Sequence, residues 1–174
     1  MQLDSKASHP HENVKMEMKT LILGLGNPLL RDDSIGLQVV QLLRSMLEMD
    51  PDIELDQDYW GGLRLMERMI GFERAIIIDA IQTGAEPGTI HLLSPGDIPT
   101  QRSASAHDVN LPTALEFGRQ AGALLPPDGK ILLIGVEAED VLTFDENLSP
   151  KVKQALPHAV EAVFAALERE REPI

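Results

Sequence analysis

The chain has 174 residues, of which 43% are hydrophobic and only 3% are aromatic, and its formal net charge is −13. These values predict one soluble globular domain with an aliphatic core, and the negative charge argues against nucleic acid and anionic membranes as partners. The chain has no cysteine, which excludes disulfides, a thiolate nucleophile and cysteine-ligated metal sites.

Residues 1–18 are polar and lack periodicity, so we expect a disordered leader. A single α/β catalytic domain is then predicted over residues 19–172. The N-terminus lacks the basic-then-apolar pattern of a secretion signal, and no apolar run approaches the roughly 18 residues that span a membrane. We therefore expect a cytoplasmic protein.

The first half of the domain alternates apolar runs with segments of helical spacing. The predicted elements are a buried strand over 21–25, a helix from Ser34 to about Leu47, an edge strand over 53–58 and a helix over 63–70. Residues 59–62, Tyr-Trp-Gly-Gly, form a predicted loop that we expect to line a peptide-binding cleft, with ordinary loop packing as the alternative.

The second half continues the same alternation. Its predicted elements are a strand over 75–78 that ends in Asp79, a short strand over 88–93, a helix after Asp108 to about Leu124, a strand over 130–136 and a helix capped by Ser149. Pro157 is expected to kink or split that last helix. Alternating strands and helices predict an α/β fold, a three-layer α/β/α sandwich with a mostly parallel twisted central sheet.

Polar residues follow several of these strands, at the sheet edge where open α/β folds form their sites. Asp32 and Asp33 follow the first strand, Asp79 follows the most apolar strand, and His107 ends a long loop before a helix. Two carboxylates and an imidazole can form a three-ligand site for zinc or nickel. The alternatives are a hydrogen-bonding role for Asp79, a helix-capping role for Asp33 and no role for His107.

Other common sites are not supported by the sequence. The turn over 24–29, Gly-Leu-Gly-Asn-Pro-Leu, lacks the third glycine of a dinucleotide fingerprint, and no phosphate-binding loop is present. There is no Gly-x-Ser-x-Gly elbow. Ser103 and Ser105 lie near His107, but nothing marks either as an activated nucleophile.

From about Leu21 to Leu167 the chain resembles the [NiFe]-hydrogenase maturation proteases, endopeptidases that trim the C-terminal tail of the hydrogenase large subunit. The matching residues are Gly24, Gly26, Asn27, Asp32, Asp33 and Gly36, Ile76–Ala80, Pro87–Thr89, Ser103–Asp108, Ile134–Glu137 and Leu148–Pro150. The combination of motifs is specific, and it implies a phosphorylase/hydrolase-like sandwich.

The resemblance also implies which residues form the site. In the family an acidic residue of the first loop, the aspartate after the buried strand and the loop histidine bind metal, and these map to Asp33, Asp79 and His107. The same three residues are the expected catalytic group. The first ligand is often glutamate in the family, so the shorter Asp33 requires an adjusted geometry. Asp32 is then an orienting or capping neighbour, unless the two exchange roles.

The implied activity is recognition of nickel already installed in the large-subunit precursor, followed by one cut. A resting protease would hold no metal of its own, and zinc or cadmium could replace nickel in crystals. Water is the expected attacking group, with Asp33 or Asp79 as its base or with metal assistance, and the family is often classed as aspartic-type. The expected partner is the precursor, and the protein itself is expected to be a monomer.

Three other functions remain open at this point. The same ligands would serve a non-proteolytic nickel-site checkpoint or chaperone, which would bind the precursor without shortening it. A generic metallohydrolase would hold its own metal and act on small molecules. A nucleotide-binding module would have affinity for NAD or ATP, which the acidic first loop opposes.

Overall fold

The computed structural model describes residues 17–59, 61–98 and 110–169. Within these ranges the chain forms five β-strands and four α-helices. The strands are β1 (Glu17–Leu25), β2 (Ile53–Asp58), β3 (Phe72–Ile81), β4 (Ile90–Leu93) and β5 (Ile131–Glu137). The helices are α1 (Ile35–Leu47), α2 (Gly62–Arg68), α3 (Leu111–Gln120) and α4 (Pro150–Glu168). The first strand begins at Glu17, two residues before the predicted start of the domain, and the rest of the predicted leader lies outside the described residues.

The five strands form one sheet in the order β2-β1-β3-β5-β4. Strands β1, β2, β3 and β5 are parallel, and β4 pairs with β5 in the antiparallel sense. Strand β2 lies on one side of β1, and β3 lies on the other side. The direction in which strands are added therefore reverses between β1 and β3. Such a reversal opens a crevice at the carboxyl ends of the two strands.

Helices cover both faces of the sheet, which confirms the predicted α/β/α sandwich. Ile76 and Ile78 of β3 belong to the apolar cluster that contains α1 and α4. Ala75 and Ile77 belong to the cluster that contains α2 and α3. The uninterrupted apolar run in β3 is explained by this arrangement, because both faces of the strand are buried.

The structure corrects several details of the predicted elements. Strand β3 continues to Ile81, so Asp79 lies within the strand, two residues before its end, and does not terminate it. Ser34 and Ser149 precede α1 and α4 as predicted, but neither side chain makes a capping hydrogen bond. The prediction that Pro157 splits the last helix is wrong, since α4 runs unbroken through it.

The proline is tolerated because it lies on the exposed side of α4. A proline inside a helix leaves the carbonyl four residues earlier without its usual donor. That carbonyl belongs to Lys153, which is exposed like Pro157 itself. None of the helices in the described ranges is both long enough and apolar enough to cross a membrane.

Candidate functional site

Two glycines, Gly24 in β1 and Gly36 in α1, allow α1 to begin directly against the ends of β1 and β3. A Cβ atom on Gly36 would lie 2.3 Å from the carbonyl oxygen of Ile78 and 2.4 Å from that of Leu25. A Cβ atom on Gly24 would lie 2.2 Å from the carbonyl oxygen of Gly36. Only glycine fits at such distances. The Gly-rich motif therefore serves close backbone packing at the crevice, and it places the two following aspartates there.

Asp32 is a fully buried structural carboxylate. One of its oxygens accepts hydrogen bonds from the amides of Glu139 (3.0 Å) and Asp140 (2.9 Å) and from the Ser149 hydroxyl (2.9 Å). The other accepts a bond of 2.7 Å from the Ser149 amide. Four donors satisfy the charge that burial would otherwise penalise. Asp32 thus joins the first loop to the segment between β5 and α4.

Asp33 is the aspartate of this pair that keeps a partly exposed side chain. It accepts a hydrogen bond of 2.8 Å from the amide of Asn27, within the same loop. Burial raises the pKa of Asp33, and the Asn27 amide opposes that rise. The carboxylate thus points back into the loop at the crevice.

Asp79 lies on the neighbouring strand and is electrostatically coupled to Asp33. Its pKa rises from 3.8 to about 7, first because of burial and second because of the negative charge of Asp33. A hydrogen bond of 2.8 Å from the Ala80 amide opposes the rise. At about pH 7 Asp79 is therefore close to half protonated, as expected for a partly desolvated carboxyl near a like charge.

His107, the third predicted site residue, lies outside the described residues, as do Ser103, Ser105 and Trp60. The chain re-enters the described structure at Asn110, whose side chain caps α3. The Gly71 amide, just before β3, donates to the Leu124 carbonyl after α3. Helix α3 therefore ends at the edge where β3 begins, and Asn110 lies toward the opposite edge, where Asp79 is found.

No three His, Cys, Asp or Glu side chains form a metal-binding group within residues 17–59, 61–98 and 110–169. Of the three predicted ligands, Asp33 and Asp79 lie within these ranges. Their chemistry fits a divalent cation, because carboxylate oxygens are common ligands and a cation would relieve the repulsion between them.

Glu137 is another buried carboxylate at this edge, and sequence reasoning assigned it no role. It is 2% exposed and accepts bonds from the Thr83 amide (2.7 Å), the Thr83 hydroxyl (2.8 Å) and the Gly84 amide (3.0 Å). His91 Nε2 lies 3.1 Å away. Burial opposes its charge, but these hydrogen bonds outweigh burial and lower the pKa of Glu137. Glu137 thus fixes the loop that follows β3. In the sequence, the feature that points to Glu137 is an acidic residue at the end of an apolar strand.

A groove of about 480 Å³ opens beside the first loop, between α1 and the end of β2. Its walls include Pro28, Leu37 and Tyr59. Gln57 crosses it and donates a hydrogen bond of 2.8 Å to the Leu37 carbonyl. The groove also includes Ser34, the neighbour of Asp33 in the chain. Tyr59, the first residue of the predicted 59–62 loop, thus lines this groove; binding of a peptide there stays a prediction.

Comparison with known proteins gives a consistent result. Residues 37–166 match the family model described as hydrogenase maturation protease. The chain is 31% identical over 153 residues to the Hydrogenase 2 maturation protease of Escherichia coli K12, covering 86% of this chain and 91% of that protein. It is 25% identical over 168 residues to the hydrogenase expression/formation protein HupD of Thiocapsa roseopersicina, covering 91% and 75% of the two chains.

Solved structures agree with these sequence matches. The fold is similar to that of the hydrogenase maturating endopeptidase HybD from E. coli, with a TM-score of 0.70 and 30% identity over 88% of this chain and 94% of that one. It is also similar to a hydrogenase 2 maturation peptidase from a Thaumarchaeota archaeon, with a TM-score of 0.60 and 27% identity over 86% and 98% of the two chains.

Proposed function

The chain belongs to the hydrogenase maturation protease family, and from this membership we propose that it cuts the C-terminal extension from the [NiFe]-hydrogenase large-subunit precursor. The protein is accordingly a hydrolase, a peptidase of the maturation type. The proposal further holds that the cut follows nickel insertion and that the nickel of the precursor is what the protease recognises.

One observation carries the proposal: Asp33 and Asp79 meet at the crevice where the strand order reverses. Asp33 comes from the loop after β1 and Asp79 from the last three residues of β3, and the charge of Asp33 contributes to the raised pKa of Asp79. Paired carboxylates with separated pKa values are the arrangement that acid–base hydrolysis needs. Among the described residues, Asp33 and Asp79 each accept one backbone amide, whereas Asp32 accepts four donors.

Nickel in this proposal is part of the substrate. Its recognition would use the carboxylates of Asp33 and Asp79 and the imidazole of His107, a donor set that suits a borderline divalent ion. Two adjacent carboxyl groups repel each other when both are ionised, and a cation brought by the precursor would remove that repulsion. A precursor without nickel would gain no such stabilisation at the site. Recognition would then act as a check that nickel insertion is complete.

The chain's own residues supply the proton transfers of the hydrolysis step. Asp79 holds a proton up to about pH 7, whereas the smaller influences on Asp33 leave it the more acidic of the pair. In the aspartic-type mechanism that we propose, the ionised Asp33 takes a proton from the attacking water. A proton held at Asp79 passes to the scissile amide, either to its carbonyl oxygen or to its leaving nitrogen.

The groove next to Asp33 would hold the extended peptide that leads to the cut. Its walls combine apolar side chains with the amides of Gln38, Gln41 and Gln57. Amide side chains can both donate to and accept from a peptide backbone. Asp58, the acid in the groove, is paired with Arg64 at 2.9 Å, so the groove favours an uncharged segment.

Purified large-subunit precursor, prepared with and without nickel, tests the proposal when each form is incubated with the protein and its mass is measured. We expect loss of a short C-terminal peptide from the nickel-loaded form alone. His107→Ala should abolish this loss, whereas His158→Ala, an exposed histidine on α4, should preserve it. Cleavage of both precursor forms would refute nickel recognition. Stable binding with unchanged mass would instead identify a checkpoint protein.

A further inference from the structure

Two large apolar side chains are exposed on the loop between β5 and α4. Leu142 is 79% exposed and Phe144 is 81% exposed, in a chain with only four phenylalanines. Burying apolar side chains of this size stabilises a protein, so leaving both in solvent forgoes that stabilisation. Leu142 and Phe144 lie two residues apart on one loop, and exposed apolar side chains that form a contiguous patch mark interaction sites.

The loop that carries them, residues 139–147, is held firmly by its own hydrogen bonds. The Asp140 carboxylate accepts bonds of 3.0 Å from the amides of Leu142 and Thr143. The Asp145 carboxylate accepts bonds from the Asn147 amide at 2.8 Å and from Arg31 at 2.7 Å. A loop ordered before binding loses little conformational entropy when a partner arrives.

This loop, which we call the docking loop, is joined directly to the candidate active site. Leu30 pairs with Phe144 in an antiparallel bridge. The Asp32 amide donates to the Asp140 carbonyl at 2.9 Å, and the Asp32 carboxylate accepts the Asp140 amide. A protein seated on Leu142 and Phe144 would therefore contact a loop that is hydrogen-bonded to the segment carrying Asp32 and Asp33.

The charges around the apolar pair are mostly negative, with Arg31 paired to Asp145 as the cation among them. Glu139, Asp140, Asp145 and Glu146 flank it, and the nine residues of the docking loop include no lysine or arginine. Hydrogen bonds from Thr143 and Leu142 lower the pKa of Asp140 to about 2, so its charge persists at neutral pH. A second copy of this chain, with a net charge of −13, would be repelled. The complementary partner has an apolar pocket with lysine or arginine around it.

We propose that the docking loop binds the folded body of the large-subunit precursor, inserting Leu142 and Phe144 into an apolar pocket bordered by basic residues. This inference rests on the proposed function and extends it, because it separates recognition of the whole client from recognition of its scissile tail. The docking loop positions the precursor, and the groove and carboxylates then act on the tail.

The test uses the full chain and the nickel-loaded precursor. Phe144→Ser and Leu142→Ser are compared with Phe117→Ser, a matched change at a 59% exposed position on α3. Precursor binding is measured by calorimetry, cleavage by mass, and folding by the melting temperature. Loss of a central apolar anchor weakens binding roughly 10- to 30-fold. We expect this loss for the two docking-loop variants, with kcat at saturating precursor and melting temperature unchanged, and no loss for Phe117→Ser.

The outcomes separate this inference from the proposed function. Cleavage by the wild type with equal precursor affinity in all three variants would overturn the docking loop alone. If the wild type binds the precursor without cutting it, and the docking-loop variants lose this binding, the docking loop would be supported and the peptidase proposal overturned. Absence of any precursor binding by the wild type would overturn both.

Discussion

Replacing Asp79 with asparagine should stabilise the protein above neutral pH while removing its activity. The pKa of Asp79 rises from 3.8 to about 7 in the folded protein, a difference of about 3 pH units, each worth about 1.4 kcal/mol. The ceiling on the stability gain is therefore about 4 kcal/mol. Because the side chain is partly exposed, solvent screening reduces this value, and we expect about 2 kcal/mol.

The gain should depend on pH in a defined direction. A carboxyl with a raised pKa binds its proton more tightly in the folded state, so wild-type stability falls as pH rises from about 4 to about 7 and then levels off. Asparagine has no such proton, and it can still accept the Ala80 amide. The melting temperature of Asp79→Asn minus that of the wild type should therefore increase across this range, by roughly 4–8 °C for a chain of this size.

Thermal melts between pH 4 and pH 9 provide the assay. Glu86→Gln is the control, because Lys151 lowers the pKa of that exposed glutamate and gives its titration the opposite sign. Asp33→Asn should reduce the pH dependence, since the charge of Asp33 is one cause of the raised pKa of Asp79. A difference between Asp79→Asn and the wild type that stays constant from pH 4 to pH 9 would refute the raised pKa.

Two further predictions concern the neighbours of the carboxylate pair. Asp32→Asn places amide hydrogens against donors from Ser149 and Asp140 and leaves buried donors without acceptors. Urea titration should therefore show a loss of about 3 kcal/mol in the free energy of unfolding. An unchanged free energy of unfolding would mean that Asp32 does not hold the two segments together. Tyr59→Ala removes one wall of the groove and should raise KM for the precursor several-fold with little change in kcat; an unchanged KM in steady-state cleavage would show that the tail does not pass along this wall.

Much of the fold could be predicted because the core is simple. Strand β3 is an unbroken apolar run, and residues 35–47 have a clear helical period, so their type and order followed from the residue pattern. The predictions that were wrong concern residues whose behaviour depends on their surroundings in the folded protein. Pro157 does not split α4 because the carbonyl that it leaves unpaired lies on the exposed side.

The site was predictable only in part for the same reason. Asp32 and Asp33 are adjacent and chemically identical, so the sequence could not fix their roles. The distinction arises from Ser149, 117 residues away, which bonds Asp32. Glu137 could not be assigned because its donors come from the loop after β3 and from β4, and these meet it only in the folded sheet.

Cleavage of nickel-loaded precursor by Asp33→Asn and Asp79→Asn tests the central claim most directly. Both variants should fold, as shown by their melting temperatures, and both should lose at least about 100-fold in single-turnover cleavage rate. Glu86→Gln, a carboxylate elsewhere on the surface, should cleave like the wild type. Wild-type cleavage by either aspartate variant would show that the carboxylate pair is not the catalytic centre.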